Sequence, residues 1–345
     1  MKLDATAPAA PVEGFALETH DGLIFTVKGL VHPPEGTVAY LRYVPDPAGD
    51  RRREGRRYRR VYSFADQATE LRARGLRYEV EDPVFGRRVQ IVPDADVRML
   101  HDPRARLGQV AARGPQGELE AAALDLCGLL ARSAGMSPGA VGLTGSLLFG
   151  LQNAASDLDV VVYGGRECLA AHAALHRLMS DPRSPLRPPA AEELAAIAAA
   201  HRQDTPISDE NFLRLQARKV NEGRFAGRAC FVRFVRRLDE ATESYGDPCY
   251  APLGTATLRG RVVDASEAVF TPCRYLVGQV TTDDGPSPGE TCEIASFRGR
   301  FSDQARGGER VHARGSLERL TWRNGRVTTR LTVGGPGDFL VSGLA

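Results

Sequence analysis

The sequence predicts an α+β protein of three domains: a small α/β unit first, a mixed unit in the middle and an all-β barrel last. Three observations carry this. Alternating and β-branched runs crowd the two ends of the chain, helical 3.6-residue spacing dominates its middle, and 345 residues exceed what a single hydrophobic core ordinarily supports. The composition shifts place the boundaries at 14–115, 116–250 and 251–345.

In the first unit, Leu23 to Leu30, Thr37 to Val44, Tyr58 to Phe64 and Arg87 to Val92 read as strands, and Asp66 to Arg74 and Asp94 to Ala112 as helices. Seven arginines fall within ten residues after a Pro-Asp-Pro turn: Arg51, Arg52, Arg53, Arg56, Arg57, Arg59 and Arg60. On a hairpin they form a movable cationic arm for RNA or DNA phosphates, with Tyr58 available for stacking. The competing reading is a solvated loop in an arginine-biased chain, since only three of the 45 basic residues are lysine.

The middle unit holds the motif with chemistry in it. Glu118 to Ser133 has amphipathic helical spacing and leads into a short apolar strand, Ala140 to Thr144. That strand breaks at Gly145, and Ser146 to Leu151 starts a helix. A small residue followed by a hydroxyl lets backbone N–H groups approach phosphate oxygens at the positive end of the helix. Asp157 to Tyr163 then reads as a strand, because Val160, Val161 and Val162 follow a turn-prone Asn153 to Ser156 stretch. Side chains alternate along a strand, so Asp157 and Asp159 share a face with Cα atoms roughly 6 to 7 Å apart. Two parallel carboxylates suit Mg²⁺ or Mn²⁺ bound together with phosphate oxygens. Ser156 is placed to cap or brace them.

An apolar strand, Gly145-Ser146, a spacer of about ten residues and Asp157-x-Asp159 together resemble the signature of the polymerase-β-type nucleotidyltransferase superfamily. The whole chain, including His32-Pro33-Pro34 and Ser296-Phe297-Arg298-Gly299-Arg300, is also similar to an uncharacterised archaeal-type family of predicted nucleotidyltransferases. The resemblance implies a polymerase-β-like central domain. It implies transfer of a nucleotide from an NTP or dNTP to a hydroxyl, with Asp157 and Asp159 holding the metal and Gly145, Ser146 and Ser156 at the nucleotide. It also implies a third acid on a later strand. The matching strand, Arg228 to Arg236, has none: Phe231 stands about where the acid belongs, with Arg233 two residues on, and Glu222, Asp239 and Glu240 lie outside it. Arg218 and Lys219 are loose candidates for the triphosphate. The missing acid leaves a second class open, a non-catalytic nucleotide- or nucleic-acid-binding protein, and transfer to a protein or small molecule is a third.

Helices are expected at Glu167 to Met179, Glu192 to His201 and Asp209 to Asn221, with a proline-rich break at Asp181 to Pro189. His172 and His176 lie one turn apart as metal ligands do, but no third ligand is at hand, which favours a plain surface helix. From Ala251 onward helical spacing disappears. Ala256 to Val263, Arg274 to Val280, Cys292 to Phe301, Glu309 to Leu320, Arg326 to Val333 and Phe339 to Val341 are short strands, with a tight turn at Asn324-Gly325. A small OB-like barrel follows. Within it Arg298 and Arg300 share one face and Phe297 and Phe301 the other, a pattern that fits phosphate tracking and base stacking.

Composition excludes some classes. Residues 116–250 carry 14 basic and 17 acidic side chains, so the middle unit is not itself a nucleic-acid grip. No stretch approaches 18 apolar residues and Met1 to Glu13 lacks an apolar segment, so a cytoplasmic protein with no membrane partner is expected. Six cysteines with no C-x-x-C spacing suggest neither zinc nor disulfides.

Overall fold

The computed structural model describes residues 10–202 and 205–343, so Met1 to Ala9 of the polar N-terminal stretch lie outside the described residues. The protein is mixed α/β, with three sheets and seven α-helices among the described residues. No described helix is long and apolar enough to cross a membrane.

The first sheet has eight strands. Its main path runs Arg51–Arg53, Arg56–Arg60, Gly36–Pro45, Ile24–Val27, Ala16–Thr19 and Val97–His101, with Glu79–Asp82 and Arg87–Pro93 paired beside it. The arginine run is a hairpin, closed by Glu54 at φ 49° and Gly55 at φ 76°, a left-handed pair that matches strand twist. The helix expected from Asp94 is three elements. A 3-10 turn at Asp94–Asp96 leads into the strand Val97–His101, which pairs with Ala16–Thr19, and the helix proper, Pro103–Arg113, starts where the Asp102 side chain accepts from the Arg104 N–H. Proline at the first helical position makes the break sharp there.

In the middle, the strand order is Leu186–Arg187, Glu222–Phe225, Arg228–Val235, Leu158–Tyr163, Val141–Leu143. Leu158–Tyr163 is parallel to Arg228–Val235 and antiparallel to Val141–Leu143. Alternation splits it between two cores. Leu158, Val160 and Val162 pack with Leu126 and Leu130 of the Glu118–Ala134 helix and Leu175 of Gly165–Ser180. Val161 and Tyr163, with Val235, join Phe15, Leu17 and Phe25 of the first unit. Each fully buried Val or Leu contributes about 1.5–3 kcal/mol, so the first unit is held on the face that carries Asp157 and Asp159.

The third sheet pairs Cys249–Asp264 with Cys273–Asp284, then Thr291–Ser296, Val327–Thr332, Arg310–Thr321, and back to Cys249–Asp264, with Phe339–Ser342 added beside Arg310–Thr321. The five main strands thus pair in a closed circuit. The strand expected to run to Phe301 ends at Ser296, and Gly299–Phe301 is a 3-10 turn whose Phe301 drops into the sheet's core. The helix expected from Asp209 to Asn221 stops at Gln216.

Candidate active site

Asp157 and Asp159 sit at the start of the Leu158–Tyr163 strand, on the face turned to the first unit. Asp157 is exposed and Asp159 half-buried. Neither carboxylate takes a hydrogen bond or ion pair among the described residues. Burial raises both above the ordinary Asp value, and the charge of neighbouring Asp157 is a second cause at Asp159. Two adjacent acids with no donor among the described residues, both raised by burial, are an arrangement that a cation would favour over protons.

Gly145 is dictated by this pair. Its φ is +61°, and a Cβ there would fall 2.0 Å from Asp159 Oδ2 and 2.7 Å from its Cγ. Any other residue would drive the carboxylate away. The same turn is fixed by the Thr144 N–H donating to the Asp159 carbonyl at 3.0 Å and by Thr144 Oγ1 donating to the Gly14 carbonyl. Ser146 follows, half-buried, in the short Gly145–Phe149 helix. Leu148, Phe149 and Leu151 anchor this segment among Ala16, Ile24, Tyr43 and Tyr58 of the first unit.

The arginine hairpin leans over this site instead of waving free. Arg51 donates to the Leu151 carbonyl at 3.2 Å and to Ser156 Oγ at 3.0 Å. Ser156 Oγ also takes the Asn153 N–H at 3.0 Å, so Ser156 braces the acid loop against the hairpin. Arg60 and Arg51 are the charges that partly offset the rise at Asp157, and Arg60 acts on Asp159 as well. The Arg60 Nε is buried with no hydrogen-bond partner. Its guanidinium lies 4.7 Å from the ring of Tyr62, which is 68% exposed and has Arg42 at 5.7 Å.

The other hairpin arginines correct the expectation of a movable arm. Arg53 binds Glu18, Arg56 the Asp21 carbonyl, Arg57 the Gly49 carbonyl, and Arg59 both Asp46 and Glu70. Arg52 is exposed with no ion pair or hydrogen bond among the described residues. Tyr58 is 2% exposed and is core, so it does not stack on a ligand. These partners lie up to dozens of residues away in sequence, which is why local reading missed them.

Phe231 is paired directly with Asp159 on one side and with Glu222 on the other. The three form one row across the sheet, with Glu222 two strands from Asp159, about 10 Å between Cα atoms. Glu222 accepts from Gln216. Asp239 pairs with exposed Arg237, and Glu240 takes the Gly165 and Arg237 N–H groups, so both serve structure at the far end of the strand. Arg233 stacks on Phe231 and pairs with Glu13, which also holds Lys28. The third unit reaches the row too. A Cβ on Gly299 would lie 2.6 Å from the Phe231 ring.

Arg218 and Lys219 turn to that third unit. Arg218 pairs with Glu309, and Lys219, buried, donates to the Arg300 carbonyl and to Gln304 Oε1. Arg298 and Arg300 lie in the turn instead of on a strand face, Arg300 over the buried Phe301 ring and Arg298 against Gly334. Phe297 is half-buried against Gly29. A candidate residue not anticipated from the sequence is Tyr62, exposed and flanked by two arginines. The signal for it was an aromatic residue set at the very end of an arginine run.

No family model matches the chain, and no solved structure does. The chain is 30% identical over 328 residues to the uncharacterized protein MJ1086 of Methanocaldococcus jannaschii, an alignment covering 92% of this chain and 94% of that one.

Proposed function

We propose that this chain, which belongs to the same family as that Methanocaldococcus jannaschii protein, is a divalent-metal-dependent nucleotidyltransferase with a polymerase-β-like central domain. The observation that carries the reading is the Asp157–Asp159 pair. It is unsatisfied by any described donor and seated against a glycine that only an absent side chain permits. A carboxylate pair in that state fits Mg²⁺ or Mn²⁺. Bound there, the ion supplies neutralisation of charge on the phosphates of an NTP or dNTP.

The chain's own residues do the rest. The Gly145–Ser146 turn offers backbone N–H groups and a hydroxyl to phosphate oxygens. Arg60, with an unused buried Nε, and the hairpin held by Arg51 bring positive charge to the same side as the acids. Tyr62, flanked by Arg42 and Arg60, offers a flat exposed surface to a nucleotide base. An acceptor hydroxyl forms a bond to the α-phosphorus, pyrophosphate leaves with the bonding pair, and the hydroxyl proton passes to solvent or to a carboxylate. Positioning and charge neutralisation account for the acceleration. The circuit of five strands supports an OB-like reading of the third domain, and with it RNA or DNA as the acceptor. Gly299 of the third domain packs on Phe231, the strand neighbour of Asp159, which supports an acceptor held by that domain.

A non-catalytic binding protein is the second reading, favoured by Phe231 at the position of the third acid and by Gly299 packed on its ring. Incubation with each labelled NTP and dNTP, Mg²⁺ or Mn²⁺ and a pool of RNA and DNA oligonucleotides separates the two. A labelled, metal-dependent product absent from the Asp157→Asn, Asp159→Asn variant supports transfer. Oligonucleotide binding without product on any acceptor, the protein included, supports the second reading.

A further inference from the structure

His172 and His176 were dismissed on sequence as a surface pair lacking a third ligand, and the fold supplies one. The Gly165–Ser180 helix presents both rings to the third domain. There Asp303, in the loop after the Gly299–Phe301 turn, meets them: His172 Nε2 and Asp303 Oδ2 are 2.9 Å apart. One ligand atom from each of the three residues lies within 4.8 Å of the others, and all three side chains are half-buried.

Two further features set the cluster apart from an ordinary interface ion pair. The His176 ring has no hydrogen-bond partner among the described residues, yet it turns edge-on to His172 with ring centroids 4.8 Å apart. Asp303 is held in the left-handed region at φ 53° by its N–H donating to the Ala268 carbonyl at 2.7 Å. A fixed backbone of that kind, which Asp tolerates better than most residues, aims the carboxylate at the helix.

We propose that His172, His176 and Asp303 form a second metal site, for a divalent first-row transition ion with Zn²⁺ foremost, bridging the central and third domains. Two imidazoles one helical turn apart with a carboxylate are a donor set that such ions prefer over Mg²⁺. Tetrahedral bonds of about 2.0–2.1 Å need ligand atoms little more than 3 Å apart. The His172–Asp303 pair already meets that spacing, and rotation of the His176 ring closes the rest. Water completes the coordination. The ion ties the third domain to the middle one at a point independent of the Asp157–Asp159 site.

The test uses the full chain carrying Asp157→Asn and Asp159→Asn, so that the acid pair cannot bind the probe. After chelation and gel filtration, Co²⁺ is added and its visible d–d bands are followed. One equivalent retained with bands of an imidazole-ligated ion is expected, displaced by Zn²⁺ and weakened at least about tenfold by His176→Gln or Asp303→Asn. His176→Gln is the informative variant, because that ring makes no structural hydrogen bond among the described residues. Failure of the folded parent to retain Co²⁺, or equal retention by His176→Gln, overturns the proposal.

Discussion

Glu18 on the first sheet and Asp159 on the second are both acids, and the protein treats them in opposite ways. Glu18 is 1% exposed and receives Arg53 at 2.6 Å, Arg98 at 2.5 Å and His101 at 2.9 Å. Against the cost of burial, these partners hold its carboxyl far below the usual range. Asp159 has no such partner, and burial pushes it up. Arginines are not scarce beside it: Arg233 is paired with Glu13, and Arg60 has a buried Nε with no hydrogen-bond partner. The difference separates an acid that holds the fold together from a pair left without an ion-pair partner among the described residues, the pair we propose takes a cation.

Breaking the ready pair should have the largest effect. Asp157→Asn with Asp159→Asn is expected to cut nucleotidyl transfer about a thousandfold or more, read as labelled product per minute, while circular dichroism stays unchanged.

Breaking the satisfied acid should act on stability. Glu18→Gln leaves Arg53 and Arg98 without their counter-charge, and a loss of about 3–5 kcal/mol is expected in denaturant unfolding. The sign of the pH dependence follows from the depressed carboxyl. Its stabilisation is present above the unfolded-state value near 4.5 and is lost as pH falls toward the folded one. Acid unfolding of the variant should therefore be shallower than that of the parent.

Arg60→Ala should raise the KM for the nucleotide about tenfold, the worth of one charge-assisted hydrogen bond. Arg52→Ala, on the exposed side of the same hairpin, should leave KM unchanged. Equal effects from both would return the hairpin to a diffuse cationic patch.

The smallest effect tests the comparison most finely. The Asp159 carboxyl is raised in the fold, so the folded metal-free protein favours its protonated form and loses stability as pH rises through that value. Asp159→Asn should then stabilise the metal-free protein by roughly 1 kcal/mol near neutral pH. Added Mg²⁺ should stabilise the parent and not the variant. For the same reason, metal binding by the parent should weaken on acidification at pH values above those at which an ordinary Asp titrates.

Much of this site could be read from a linear stretch, because residues 141–163 bring two antiparallel strands, a short helix, a turn and the acids together in one run. Gly145, Asp157 and Asp159 are local in sequence and local in space. Phe231 is legible only through the resemblance, as the residue standing where a third acid is expected, and the observed register puts it directly across from Asp159. What stayed hidden was long-range. Arg51 meets Ser156 across 105 residues, and Asp303 meets His172 across 131. The arginine-rich hairpin looked free because its carboxylate partners Glu18, Asp46 and Glu70 are spread over three other elements. The helix expected at Asp94 gives way to long-range pairing of Val97 to His101 with Ala16 to Thr19, and Asp102-Pro103 starts the helix only after it.

The measurement closest to the central claim is calorimetric titration of the full chain with NTP and dNTP, with and without Mg²⁺. The account predicts saturable nucleotide binding that needs the ion and disappears in the Asp157→Asn, Asp159→Asn variant. Nucleotide binding of equal strength without the ion or in the variant, or none at all in the folded parent, would contradict it.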